Sequence, residues 1–115
     1  MSRFAAGLTG ELLVLVDLVT KGHVVARAEA GAPYDLILVI NKRAYKIQVK
    51  TLKSGNRFWM RRKFRRPYTE KDCDFFALVR IDTGQIAYVG HVGVSATISD
   101  YAKHTLESVI KGLSK

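Results

Sequence analysis

Cysteine is almost missing from this chain. Cys73 stands alone among 115 residues, so no disulfide can close within it, and His23, His91 and His104 show no zinc-ligand spacing with that cysteine or with one another. Cys73 is therefore read as core filler, and zinc chemistry is set aside. Proline is scarce too: Pro33 and Pro67 are the two present, and no proline-rich linker, repeat or low-complexity tract divides the sequence. A chain of 115 residues builds one hydrophobic core and not two, so a single domain over residues 1–115 is expected. No apolar run approaches the roughly eighteen residues of a membrane span, and no basic start leads into an apolar block with a cleavage site. These absences point to a soluble, intracellular protein, cytoplasmic or nucleoid-associated.

Acidic residues are the other shortage. Ten Asp and Glu stand against nineteen Lys and Arg, a net charge of +9. Most of the excess lies in one segment, where Lys53, Arg57, Arg61, Arg62, Lys63, Arg65, Arg66 and Lys71 are opposed by Glu70 alone. So concentrated a patch sets up a local field suited to polyanions, and Phe58, Trp59, Phe64 and Tyr68 are interleaved with it. DNA or RNA is the expected partner. A solvated basic loop or edge strand is the plainer alternative, but it accounts less well for the departure from a mixed surface. A membrane surface fits poorly, because no helical apolar stripe accompanies the charges. Trp59, a lone tryptophan in a strand-like run, is expected in the core.

What the chain does have is a hairpin carrying a polar face. From Tyr34 to Ile40 the residues are nearly all β-branched or aliphatic, Asn41-Lys42 gives a turn signal, and Ala44 to Leu52 resumes in extended form. With a period of two, Tyr45, Ile47 and Val49 form an apolar row, and Lys46, Gln48 and Lys50 share the other side. The register decides where Asp35 falls. A two-residue loop sets it opposite Gln48, a four-residue loop opposite Lys50, and a three-residue loop opposite Val49 with the carboxylate turned towards the core. Apolar residues on both faces of the first strand predict a central, buried position, where a carboxylate needs a partner.

Around this hairpin the pattern predicts a first helix over Thr9 to Thr20, burying Leu12, Leu13, Leu15, Val16 and Val19 and ended by Lys21-Gly22. Glu11 falls in its first turn, where a carboxylate is also favourable simply for the helix dipole. Strands follow at His23 to Glu29, Arg57 to Lys63, Cys73 to Ile81 and Ile86 to Val92, the last two joined by the turn Asp82 to Gln85. A final helix is expected from an N-cap at Ser99, with Ala102, Leu106, Val109, Ile110 and Leu113 on one face. The fold class is α+β: an N-terminal helix, a central mixed β-sheet and a C-terminal covering helix.

These residues resemble the PD-(D/E)XK nuclease superfamily. The pattern is carried by Glu11 on the first helix, Pro33-Tyr34-Asp35 opening a strand and Gln48-Val49-Lys50 on the next. More narrowly, GELLVLVDLVTKGHVV, PYDLILVI, YKIQVKTL, DCDFFALV and IAYVG are similar to small bacterial and group I intron-associated (homing) endonucleases, over roughly Gly7 to Gly90. The resemblance implies a restriction-endonuclease-like core and Mg²⁺-dependent hydrolysis of DNA, with Mn²⁺ able to substitute. It makes Asp35 the main metal ligand, Glu11 a second, the Val49 carbonyl a third, and Lys50 the residue that orients the attacking water or holds charge on the phosphate. Gln48 stands where the superfamily more often has Glu or Asp. Its neutral amide oxygen can still bind a hard cation, but it lowers the charge of the site by one. Lys53, Arg57, Arg61, Arg62, Lys63, Arg65 and Arg66 become the phosphate-contacting surface.

Three functions are compatible with this reading: a site-specific endonuclease of homing or restriction type, a structure-selective Holliday junction resolvase, and a DNA-binding module without catalysis. Cutting both strands of duplex or branched DNA needs two active sites, so a homodimer or homotetramer is expected. The surfaces expected to form it are the C-terminal helix, Ser99 to about Lys111, or the hairpin from Cys73 to Val92.

Overall fold

A computed structural model describes residues 1–60 and 67–113. The expected α+β architecture is present. Helix α1 (Arg3–Thr20) leads into strands β1 (Val24–Arg27), β2 (Leu36–Ile40), β3 (Arg43–Leu52), β4 (Arg57–Trp59), β5 (Phe75–Arg80), β6 (Ile86–Val89) and β7 (Ser95–Thr97). A 3₁₀ segment (Ile98–Tyr101) and helix α2 (Leu106–Leu113) close the chain. Among the described residues the main sheet has the order β1-β2-β3-β5-β6, with β3 and β5 parallel and the other neighbours antiparallel. Strands β4 and β7 form a separate antiparallel pair.

The sheet is covered on both faces. On one, Ile47, Val49, Phe75, Ala77 and Tyr88 meet Val14 and Leu18 of α1 and Leu106 of α2. On the other, Phe76, Leu78 and Val89 meet Phe58, Met60, Ala96 and Ile98 from the small sheet and the segment after it. Cys73 is fully buried in this second cluster, as core filler should be, and burial pushes its thiol up to about 12.

Several local expectations are corrected. Helix α1 begins at Arg3, capped by Ser2, whose hydroxyl accepts the Ala5 N–H. Its buried face is Ala6, Gly10, Val14 and Leu18, while Leu12, Val16 and Val19 are exposed. Small residues take the inward positions because the helix sits very close to β3: a Cβ on Gly10 would lie 2.0 Å from Thr51 Oγ1. Strand β2 is interior to the sheet, paired with β1 and β3, but it is not buried on both faces, since Leu36 and Leu38 face the core and Val39 is exposed. Trp59 is 56% exposed, and its neighbour Phe58 fills the core instead. Ser99 lies in the 3₁₀ segment and caps nothing. The helix starts later, where the Ser108 N–H donates to Thr105 Oγ1 and the Thr105 N–H to Ser108 Oγ, a reciprocal cap. Ala87, Val89, Ala96 and Ile98 of the apolar stretch Ile86 to Ile98 are buried in the protein's own core, while Val92 and Val94 are exposed. Among the described residues no helix is long and apolar enough to cross a membrane.

Candidate active site

The β2–β3 turn fixes the geometry. Asn41 and Lys42 adopt φ of 51° and 68°, the two positive values of a two-residue type I′ turn. Ile40 pairs with Arg43 and Leu36 with Ile47, the register of a two-residue loop, and the ladder ends there. The Asp35 N–H donates to the Ile47 carbonyl at 2.8 Å, so Asp35 joins Leu36 beside Ile47 instead of stepping on to Gln48 as the loop length alone would have it. Beyond it the strands part, and the Asp35 carboxylate takes over, Oδ2 accepting the Val49 N–H at 2.8 Å.

This bond locks Asp35 against the Gln48-Val49-Lys50 segment. Burial alternates along β3, with Tyr45, Ile47 and Val49 inside and Lys46, Gln48 and Lys50 partly exposed, as a period of two requires. Gln48 Nε2 lies 3.4 Å from the Val49 carbonyl, so the amide and the carbonyl are neighbours; exchanging the amide N and O would present an oxygen beside that carbonyl. Lys50 Nζ donates to Tyr68 Oη at 2.8 Å, and Tyr68 in turn packs edge-on against Phe76, ring centroids 5.2 Å apart.

Glu11 arrives from α1. With the helix starting at Arg3 it is no longer in the first turn, so the dipole of the helix N-terminus does not account for it. Its inward neighbour Gly10 permits the close seat on β3, and its carboxylate pairs with Arg27 of β1 at 3.7 Å. Burial raises its pKa, the charge of Asp35 raises it further, and Arg27 opposes both. Asp35 is raised as well, by burial, against the opposing pull of the Val49 N–H, Lys50 and Arg27. Two partly desolvated carboxylates that repel each other make a place where a cation is favourable.

A cleft of about 310 Å³ opens beside the pair, lined by Glu11, Arg27, residues 28–32, Tyr34 and Asp35. A second, of about 430 Å³, lies along Val49, Lys50 and Lys53 and is closed by Arg3 and Gly7 of α1. Among the described residues no three His, Cys, Asp or Glu side chains converge as a metal cluster. A hard cation held here would draw its oxygen donors from two carboxylates, one amide and one backbone carbonyl. That set suits Mg²⁺, which keeps several of its own waters and needs few protein ligands.

Of the expected phosphate-contacting residues, Lys53 donates to the Met1 carbonyl at 2.7 Å, and Arg57 is exposed on β4. Arg61, Arg62, Lys63, Arg65 and Arg66 lie outside the described residues. The sequence reading missed Arg27 and Tyr68 as parts of the site. Arg27 follows from the β1–β2 register, which pairs it with Leu36 next to Asp35, and no sequence signal gives that register. Tyr68 reaches Lys50 across eighteen positions of chain, a contact that a period cannot reveal.

No protein-family model and no curated protein matches this chain. Among solved structures, a bacterial homing endonuclease, I-Ssp6803I, matches over 100% of this chain and 98% of its own, with a TM-score of 0.76 and 18% sequence identity. At that identity the similarity is one of fold.

Proposed function

We propose that this protein is a metal-dependent DNA endonuclease with a PD-(D/E)XK-type site, hydrolysing phosphodiester bonds at a specific sequence in the manner of homing or restriction enzymes. The observation that carries the reading is the two-residue turn at Asn41-Lys42. Its register ends with Leu36 opposite Ile47, from where the Asp35 carboxylate accepts the Val49 N–H beside Gln48 and Lys50 of the same strand, and Glu11 is raised by burial and by the charge of Asp35. The fold shared with a bacterial homing endonuclease supports the same reading.

In this reading Asp35, Glu11, the Gln48 amide oxygen and the Val49 carbonyl hold Mg²⁺, with Mn²⁺ able to replace it. The ion supplies Lewis-acid stabilisation of charge on the scissile phosphate. The protein does the rest by position. Lys50 orients the water whose oxygen attacks phosphorus as the P–O bond to the leaving oxygen breaks, and Tyr68 holds the Lys50 ammonium in place through its 2.8 Å hydrogen bond. Arg27 offsets part of the charge on Glu11 and steadies the carboxylates while no cation is bound. Lys53, Arg57 and the basic residues Arg61 to Arg66 neutralise backbone phosphates, a sequence-independent and salt-sensitive share of the affinity.

The test is incubation of the purified chain with supercoiled plasmid and with a synthetic four-way junction, each with Mg²⁺ and with EDTA. Mg²⁺-dependent cutting of duplex at defined positions supports the proposal. Cutting confined to the junction assigns a resolvase, and binding without any cutting assigns a DNA-binding module.

A further inference from the structure

Helix α1 is amphipathic in the unexpected sense. Its charged residues, Arg3, Glu11 and Asp17, all turn towards the protein's own fold: Arg3 lines the cleft beside Lys53, Glu11 pairs with Arg27, and Asp17 accepts the Tyr88 hydroxyl at 2.6 Å. The opposite half of this eighteen-residue helix carries no charge at all. Phe4 is 82% exposed there, Val16 56%, Val19 53% and Leu12 43%. Even the two hydroxyls on that side are satisfied internally, Thr9 donating to the Ala5 carbonyl at 2.7 Å and Thr20 to the Asp17 carbonyl at 2.9 Å. A helix apolar on its inner and outer faces is a buried helix.

We infer that the outer face of α1 is covered by a second copy of this chain, paired antiparallel across a two-fold axis at Leu12. The spacing is self-complementary. Phe4, Leu8, Leu12 and Val16 recur every four residues, with Val19 closing the row, so an antiparallel mate sets Leu12 against Leu12, Leu8 against Val16 and Phe4 against the Val19–Thr20 turn. A symmetric dimer requires this kind of isologous match. The row from Phe4 to Val19 runs about 22 Å at 1.5 Å per residue. Its exposed side chains present on the order of 500 Å² of apolar surface, more than a scattered patch and most of the roughly 800 Å² per partner of a standard interface. Charge argues for the same occupant. With a net +9, two copies repel across most of their surfaces, and this uncharged face is where the repulsion is least. The clefts beside Glu11 and Lys50 are lined by none of the residues of this row. Two sites per assembly is also what cutting both strands would need, a point that rests on the proposed function while the face itself does not.

Light scattering on the chain between 1 and 100 μM tests it. The expected mass is twice the 12.9 kDa of the chain. Leu12→Glu with Val16→Glu, two exposed positions, should give a monomer of unchanged circular dichroism. Leu12→Cys supplies a second arm that does not rest on that variant folding: with oxidised glutathione it should form a covalent dimer, because Cys73 is fully buried, and Trp59→Cys on the far side should not. A monomeric wild-type mass at 100 μM overturns the inference, whether or not the monomer sediments with lipid vesicles. So does an unchanged mass in the double variant, or the absence of a Leu12→Cys crosslink. A dimer that leaves plasmid intact would instead reject the nuclease reading and keep the interface.

Discussion

Asp35 and Asp74 grip β3 from opposite sides by the same device. Asp35, entering β2, accepts the Val49 N–H through Oδ2 at 2.8 Å, and Asp74, entering β5, accepts the Lys46 N–H through Oδ2 at 2.7 Å. Each carboxylate takes a backbone donor at the entrance to a neighbouring strand. Their surroundings differ. Asp35 is partly desolvated next to a second carboxylate, Glu11, with Lys50 and Arg27 close enough to pull its pKa back down. Asp74 faces a cleft of about 280 Å³ whose other walls are Arg43, Glu70, Gly112 and Leu113 at the end of α2. A carboxylate clamp on a strand is thus a means of folding. It becomes a candidate for chemistry when a second carboxylate and a lysine act on it, as Glu11 and Lys50 do at Asp35.

The sharpest contrast along β3 itself is between Lys50 and Lys46, which share a face two turns of the pleat apart. Lys50→Ala should lower single-turnover cleavage by about 10²–10⁴-fold, the range for losing a positioned group that acts on the attacking water. Lys46→Ala, whose ammonium sits 5.6 Å from the Tyr34 ring, should leave the rate within about threefold. Equal losses would erase the distinction between the two ends of the strand. Tyr68→Phe keeps the ring against Phe76 and removes only the hydroxyl that holds Lys50. A fall of about tenfold in kcat, about 1.4 kcal/mol, with KM and melting temperature unchanged, is the expected outcome in steady-state assays.

Gln48→Glu restores an acidic ligand and should tighten Mg²⁺ binding by about tenfold, read by calorimetry. Unchanged affinity would mean that the Gln48 side chain takes no part in the site. The smallest expected effect concerns pH. Glu11 and Asp35 both have pKa values raised in the folded protein, so between the unfolded and folded values the native chain holds more protons than the unfolded one. Without a cation, stability is therefore greatest with the pair protonated and falls as pH rises through that raised range. Urea unfolding in EDTA should show Asp35→Asn flattening this slope and slightly stabilising the protein at neutral pH, the opposite of what a purely structural carboxylate would give.

The part of this site that follows from the sequence is the part set by local geometry. Asn41 tolerates a positive φ, so the two-residue turn is one of few options, and it fixes the register from Ile40–Arg43 to Leu36–Ile47, from which the Asp35 carboxylate reaches the Val49 N–H. Alternation along β3 sorted core from site without any tertiary information. Helix α1 defeats the same logic because hydrophobicity does not mark its inner face: a Cβ on Gly10 would lie 2.0 Å from Thr51 Oγ1, so closeness to β3 selects small residues there. Phe58 and Trp59 are adjacent, and a three-residue strand has too few positions for alternation to say which one faces inward. Ser99 and Thr105 are both plausible caps by residue type; what decided between them was that Ile98 had to bury, which holds the chain there in a 3₁₀ turn. Arg27 and Tyr68 enter the site only through contacts between distant parts of the chain.

The pair of clamps provides the most direct measurement. Asp35→Ala and Asp74→Ala each remove one hydrogen bond to β3, so both should lose a comparable amount of stability, about 1–3 kcal/mol for an unsatisfied backbone donor. Purified and shown to be folded by circular dichroism, each is incubated with supercoiled plasmid and Mg²⁺ under conditions where the parent chain cuts. Nicking by Asp74→Ala at near the parental rate, with none detectable from Asp35→Ala, is the predicted result. Parental cleavage by Asp35→Ala would contradict the account, whatever Asp74→Ala does.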